Sequence, residues 1–148
     1  MRVIFCDFDG VLHPAGGPPG FVLPFEWLPE LVTMLKEVDD VSFVVSSTWR
    51  ETYSVDELRD FLEPLGDRHF GVVEPGPKAD AIERFLAQHP EITDAVVLDD
   101  EPMDFPVDLS LTVVKCSPSL GIACPKTQEE LRAWFRAEHR RRFIDDCI

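Results

Sequence analysis

Val3-Ile4-Phe5-Cys6-Asp7-Phe8-Asp9-Gly10-Val11-Leu12 carries a short apolar run straight into two carboxylates. Four apolar residues followed by Asp and Gly read as a buried strand, and Asp7 and Asp9 then stand at its C-terminal end. Two unit charges about 6 Å apart repel by roughly 3 kcal/mol at an effective dielectric near 20. A pair in that position calls for a bound cation, a shared proton or a lysine. Taken alone, Asp7-Phe8-Asp9-Gly10 also fits a turn, since Asp and Gly both accept turn geometry. The rest of the chain decides between the two.

Four more runs rich in Val, Ile, Phe and Leu follow the first, Val3 to Cys6: Val41 to Val45, Phe70 to Val73, Ala95 to Leu98 and Leu111 to Val114. Helical spacing fills most of the gaps, with Leu28, Leu31, Val32, Leu35 and Val38 on one stripe and Ala81, Ile82, Phe85 and Leu86 on another. Ser54-Val55-Asp56-Glu57 and Thr127-Gln128-Glu129-Glu130 each fit a capping box that opens a further helix. Strands without strict alternation, separated by helices, imply a parallel sheet covered on both faces. The expected fold is therefore α/β: a doubly wound, Rossmann-like, five-stranded parallel sheet in a single domain over 1–148. The Pro- and Gly-rich segment Pro14 to Pro24 reads as a surface loop, and the run Glu138-His139-Arg140-Arg141-Arg142 as the charged end of the last helix.

Composition narrows the functional classes. The 45% hydrophobic and 28% charged content is that of an ordinary globular chain, and no apolar run approaches the roughly 20 residues of a membrane span. No secretory leader is apparent at the N-terminus, so the expected location is cytoplasmic and no membrane partner is expected. With 28 acidic against 14 basic residues the formal charge is -14, which repels phosphate backbones at long range and argues against nonspecific nucleic-acid binding. A phosphorylated substrate is still compatible, because a divalent cation inverts the field locally. Cys6, Cys116, Cys124 and Cys147 form no C-x-x-C pair and read as free thiols.

In open parallel sheets, function collects beyond the carboxyl ends of the strands. Strand one ends in Asp7 and Asp9; strand two in Ser46, Ser47 and Thr48, then Trp49 and Arg50; strand four in Asp99 and Asp100, with Glu101 and Asp104 beyond. Glu74-Pro75-Gly76-Pro77 is a rigid turn that delivers Lys78 to the start of a helix, where a cation is mildly unfavourable and so more telling. Clustered carboxylates without a neighbouring His or Cys select a hard cation, and Mg²⁺ is typically held by one or two carboxylates, water and substrate phosphate. A Lys and a Ser hydroxyl beside it suit the other phosphoryl oxygens. Arg50 is a candidate for gripping phosphate bidentately, or for pairing with a structural carboxylate. His13 reads as satisfying a loop hydrogen bond rather than binding metal, and Trp49 as lining the site mouth or packing under the next loop.

With these parts in order the chain resembles the haloacid dehalogenase (HAD) superfamily of phosphohydrolases, from strand one through strand four. Its four motifs match as Asp7-Phe8-Asp9-Gly10-Val11, Ser46, Lys78 and Asp99-Asp100. The resemblance implies an Mg²⁺-dependent phosphatase in which Asp7 is the nucleophile and forms an aspartyl-phosphate. It makes Asp9 the general acid, with its backbone carbonyl on the metal, and Ser46 and Lys78 the phosphate-holding groups. Asp100 and Asp99 become metal ligands, Asp99 directly or through water, with Asp104 behind them. Ser47 replaces Ser46 if the strand runs one residue further. Asp9 points towards phosphoryl transfer, since dehalogenases and ATPases of the superfamily lack a carboxylate there.

The segments between strands leave no room for the cap domain many HAD enzymes insert, so the resemblance is to capless members with open sites. The substrate is then a phosphorylated metabolite or macromolecule. The acidic charge favours a phosphoprotein, sugar phosphate or nucleotide over polynucleotide ends, and an oligomeric partner is compatible with an open site. The loop from His13 to Phe25 is the expected lid or substrate contact. Two other readings compete: a noncatalytic binding module on the same fold, and a receiver-type signalling domain with Lys115 at the end of strand five. The receiver needs a phosphoacceptor Asp after its third strand, where this chain has Glu74-Pro75-Gly76-Pro77.

Overall fold

The structure, a computed structural model, describes residues 1–16, 23–101, 103–106, 109 and 111–146, with only the backbone of 138–146. The expectations about the centre of the Pro14–Pro24 loop, about the Glu138–Arg142 side chains and about Cys147 lie outside the described residues. In chain order the elements are β1 (Arg2–Cys6), α1 (Leu28–Leu35), β2 (Val41–Val45), α2 (Val55–Phe61), β3 (His69–Val72), α3 (Lys78–Gln88), β4 (Asp94–Asp99), β5 (Leu111–Lys115) and α4 (Pro125–Asp146). Short 3-10 turns cover Thr48–Glu51, Glu63–Arg68 and Gly121–Ala123.

The described strands form one all-parallel sheet in the order β3-β2-β1-β4-β5. Strand β1 lies at its centre, with Ile4 between Phe43 and Val96 and Cys6 between Val45 and Leu98. Continuous burial along β1 and β4 explains why neither shows polar alternation. One face of the sheet, including Ile4, Cys6, Phe43, Val45, Val96 and Leu98, packs against α1, α2 and α4 through Leu31, Leu58, Leu131 and Trp134. The other face, including Val3, Phe5, Val44 and Val97, packs against α3 through Ala81, Ile82 and Phe85. The fold is thus α/β and Rossmann-like, with one helix between β1 and β2 and one between β3 and β4 among the described residues, and no cap inserted in either place.

Local signals account for most element boundaries. The Ser54 capping box closes reciprocally: Ser54 Oγ accepts the Glu57 N–H at 3.1 Å and Glu57 Oε1 accepts the Ser54 N–H at 3.0 Å. The box expected at Thr127 does not open α4, which starts two residues earlier at Pro125. Proline is pre-organised for the first helical position, and the Cys124 sulfur accepts the Thr127 and Lys126 amides, which lowers its pKa. Strand β3 begins at His69 rather than Phe70, where its pairing with β2 is irregular between Phe43 and Val44. Arg2 fastens the opposite end of the sheet: it pairs Asp40 at 2.9 and 2.8 Å and donates to the Trp134 and Phe135 carbonyls of α4. No helix among the described residues is long and apolar enough to cross a membrane.

Candidate active site

Ladder hydrogen bonds continue one residue past the strands and fix where the functional backbone lies. The Asp7 N–H donates to Leu98 O at 3.0 Å, the Ser46 N–H to Cys6 O at 3.0 Å and the Cys116 N–H to Asp99 O at 2.8 Å. Asp7, Ser46 and Asp99 therefore share the carboxyl edge of the three central strands. Strand β4 extends to Asp99, so Asp99 is its last residue and Asp100 the first beyond it.

Lys78, the first residue of α3, forks between two of these carboxylates, with Nζ 3.2 Å from Asp7 Oδ2 and 3.2 Å from Asp99 Oδ2. Asp99 is fully buried, and its other oxygen accepts the Glu101 N–H at 3.0 Å. Asp100 completes a group in which ligand oxygens of Asp7, Asp99 and Asp100 lie within 4.8 Å of one another. Its approach depends on Gly10, at a φ of +78°, because a Cβ there would fall 2.5 Å from Asp100 Oδ2.

Three carboxylates with one ammonium leave the cluster short of positive charge. Burial and then the Asp99 charge push Asp7 up to about 7, against the pull of Lys78. Burial and Asp99 likewise raise Asp100. Burial acts to lower Lys78, but Asp7 and Asp99 outweigh it and hold its pKa above the ordinary value. The donor set is all oxygen and under-neutralised, which fits a hard divalent cation. Asp104 is exposed and lies outside this group.

The two serines after β2 part company. Ser47 caps the 3-10 turn, its Oγ accepting the Trp49 N–H at 3.2 Å. Ser46 is fully buried and its Oγ has no hydrogen-bond partner, although buried hydroxyls are normally satisfied. Of the two hydroxyls, it is that of Ser46 that is left without a partner.

Arg50 does not reach out as a phosphate grip. Its guanidinium donates to the carbonyls of Glu74 at 3.0 Å, Ser46 at 3.0 Å, Ser47 at 2.9 Å and Gly76 at 2.6 Å. The reason is position: Arg50 sits at the end of the 3-10 turn, 8% exposed, facing the Glu74–Pro77 turn rather than the open edge. It brackets the Ser46 segment to the turn that delivers Lys78.

Asp9 stands apart from the cluster, its side chain half exposed where that of Asp7 is 5% exposed. Its Oδ1 lies 2.7 Å from His13 Nε2, and Trp49 Nε1–H reaches Oδ1 and Oδ2 at 3.3 and 3.2 Å. Only the Asp9 backbone carbonyl is left as a metal contact of the kind expected. His13 does take a loop hydrogen bond, from the Phe25 N–H to Nδ1 at 3.1 Å, but its grip on Asp9 was not read from the sequence. The i,i+4 spacing of Asp9 and His13 was the one available signal. Phe25 closes an aromatic group over this side with Phe8, Trp49 and Phe61, and Tyr53 packs on Trp49 and Phe61.

No curated protein and no solved structure matches the chain. One family model does: that of the "HAD domain in Swiss Army Knife RNA repair proteins" matches residues 3–127, from β1 into the first turn of α4.

Proposed function

The chain belongs to that family of HAD domains, and from the geometry of its site we propose that it is an Mg²⁺-dependent phosphomonoesterase working through an aspartyl-phosphate on Asp7. The observation that carries this reading is the Lys78 fork: Nζ lies 3.2 Å from both Asp7 and Asp99 at the sheet edge, with Asp100 in the same group. A nucleophile, a cation for phosphoryl oxygens and an oxygen-donor set for a metal are thereby in one place. Asp7, Asp99, Asp100 and the Asp9 carbonyl would hold the ion. When bound, it neutralises the carboxylates and the incoming phosphate, so that Asp7 is ionised in the presence of its substrate.

Asp7 attacks phosphorus as the bond to the leaving oxygen breaks, and Asp9 gives that oxygen its proton. Lys78 and the free Ser46 hydroxyl hold the equatorial oxygens, where negative charge is spread in the transition state. Water then attacks the phosphoryl group on Asp7 and loses its proton to Asp9 as the bond to the Asp7 oxygen breaks, releasing inorganic phosphate, the Asp7 carboxylate and a reprotonated Asp9. Ser47 and Arg50 act through the backbone they hold. No observation favours the receiver alternative: Lys115 is exposed on β5, and it is Lys78 that meets the acidic cluster.

The family's description names RNA repair, which makes phosphorylated RNA ends a substrate class to set against small phosphates, whereas the charge of -14 opposes polyanions at long range. Hydrolysis of an aryl phosphate, a phosphorylated sugar, a phosphopeptide and a phosphate-ended oligoribonucleotide, each with and without Mg²⁺, tests the reading. Activity that needs Mg²⁺ and disappears in Asp7→Asn supports it. Activity in none, or survival in Asp7→Asn, overturns it.

A further inference from the structure

We infer that His13 is a positioning residue for the acid-base carboxylate of Asp9, fixing which of its oxygens carries the proton; this rests on the role proposed for Asp9. His13 is buried, and its ring packs against those of Phe25 and Trp49, with centroids 5.4 and 5.3 Å away. The Phe25 N–H donates to Nδ1, so Nδ1 is an acceptor and the ring proton sits on Nε2, 2.7 Å from Asp9 Oδ1. Phe25 makes that bond at a φ of +59°, the only non-glycine residue among those described with a positive φ. Bulky side chains rarely enter this region, and such strain persists where the surroundings hold it in place. The His13 main chain joins in, its carbonyl accepting the Gly10 N–H at 2.8 Å.

Both the backbone and the side chain of His13 thus fold the segment after β1 back onto Asp9. His13 supplies a fixed N–H donor, not a change of charge. Its N–H occupies Oδ1, whereas Oδ2 has only a share in the single Trp49 N–H. A proton carried by Asp9 is therefore left on Oδ2, the oxygen able to give it to the leaving group and later to take one from water. Without the donor on Oδ1 the carboxylate is free to turn, and the reaction loses its aligned acid.

Leaving groups report on this selectively. An alkyl phosphate needs its leaving oxygen protonated, whereas 4-nitrophenolate departs without help. The test measures kcat/KM for both substrates with Mg²⁺ in the wild type, His13→Leu and His13→Gln. His13→Leu is expected to lose roughly tenfold or more on the alkyl phosphate and less than about threefold on the aryl one. His13→Gln, which restores an N–H donor, recovers most of the alkyl activity. Equal losses on both substrates, or no loss on the alkyl phosphate, overturn the inference.

Nitrogen NMR of the wild-type ring needs no substitution at His13. It is expected to show a neutral, Nε2-protonated imidazole whose Nε2 signal moves in Asp9→Ala. An Nδ1-protonated ring, or a signal indifferent to Asp9→Ala, also overturns the inference. A wild type inactive on both substrates overturns the phosphatase reading instead, and the nitrogen signals then decide alone whether His13 orients Asp9.

Discussion

Asp7 is buried beside Asp99, with Lys78 between them, and its elevated pKa makes a stability statement. In the unfolded chain the group ionises near 3.8; in the metal-free fold it does so at about 7. Between those values the folded protein keeps a proton that the unfolded chain has released, so its stability falls as pH rises through that window and levels off above it. Asp7→Asn removes this penalty. Without metal it is expected to match the wild type near pH 4 and to exceed it by about 2–4 kcal/mol near pH 8, as read by urea unfolding. Mg²⁺ should then stabilise the wild type far more than the variant. Gly10 supports the same cluster by leaving space for Asp100. Gly10→Ala forces Asp100 aside and is expected to raise the Mg²⁺ concentration for half-maximal activity by roughly tenfold or more, comparable to the loss of a ligand-orienting contact. Metal titration of the hydrolysis rate checks this. Asp7, Asp99, Asp100, Lys78 and Ser46 were legible in the sequence because each follows or ends an apolar run, or follows a Pro-Gly turn. The His13 and Trp49 grip on Asp9 was not, because it depends on how the chain folds back after β1.

At the scale of elements, the site is held by strand ends and by one buried cation. Arg50 joins the segment after β2 to the turn before α3 through four carbonyls. Arg50→Met removes the guanidinium donors, leaving Ser47 O with the Arg50 backbone N–H, and is expected to cost about 2–4 kcal/mol in urea unfolding, with a parallel loss of activity as Lys78 is released. A stable variant with full activity would show that the turn holds itself. The sequence allowed Arg50 two roles, towards phosphate or towards a structural carboxylate. Backbone carbonyls were the third, and they leave no signature in residue identity. Strand positions were legible to within a residue, at the centre of the sheet because burial on both faces of β1 and β4 requires unbroken apolar runs. The start of α4 was not, because Thr127-Gln128-Glu129-Glu130 satisfies a capping pattern that Pro125 and the Cys124 sulfur pre-empt.

Over the whole molecule, the order β3-β2-β1-β4-β5 puts Asp7 at the end of the central strand, with Ser46 and Asp99 at the ends of its two neighbours. The fold class was readable from the alternation of apolar runs and helical stripes, whereas the strand order needs three dimensions. Among the described residues no cap is inserted over the sheet edge, and under the proposed function the charge of -14 opposes the approach of polyanionic substrates. For a phosphate-ended oligoribonucleotide, KM is expected to fall several-fold as ionic strength rises from about 0.01 to 0.15 M, while KM for an aryl phosphate changes little. The opposite trend would reveal a basic channel that offsets the net charge. All of this depends on Asp7 taking the phosphoryl group. The direct measurement is acid-quench trapping with a labelled aryl phosphate, whose leaving group needs no proton, and Mg²⁺, followed by peptide mapping: one acid-stable, base-labile phosphoryl group on Asp7, missing in Asp7→Asn and accumulating in Asp9→Asn, is the expected result. Turnover with no phosphorylated Asp7 at any quench time, or label on another residue, would contradict it.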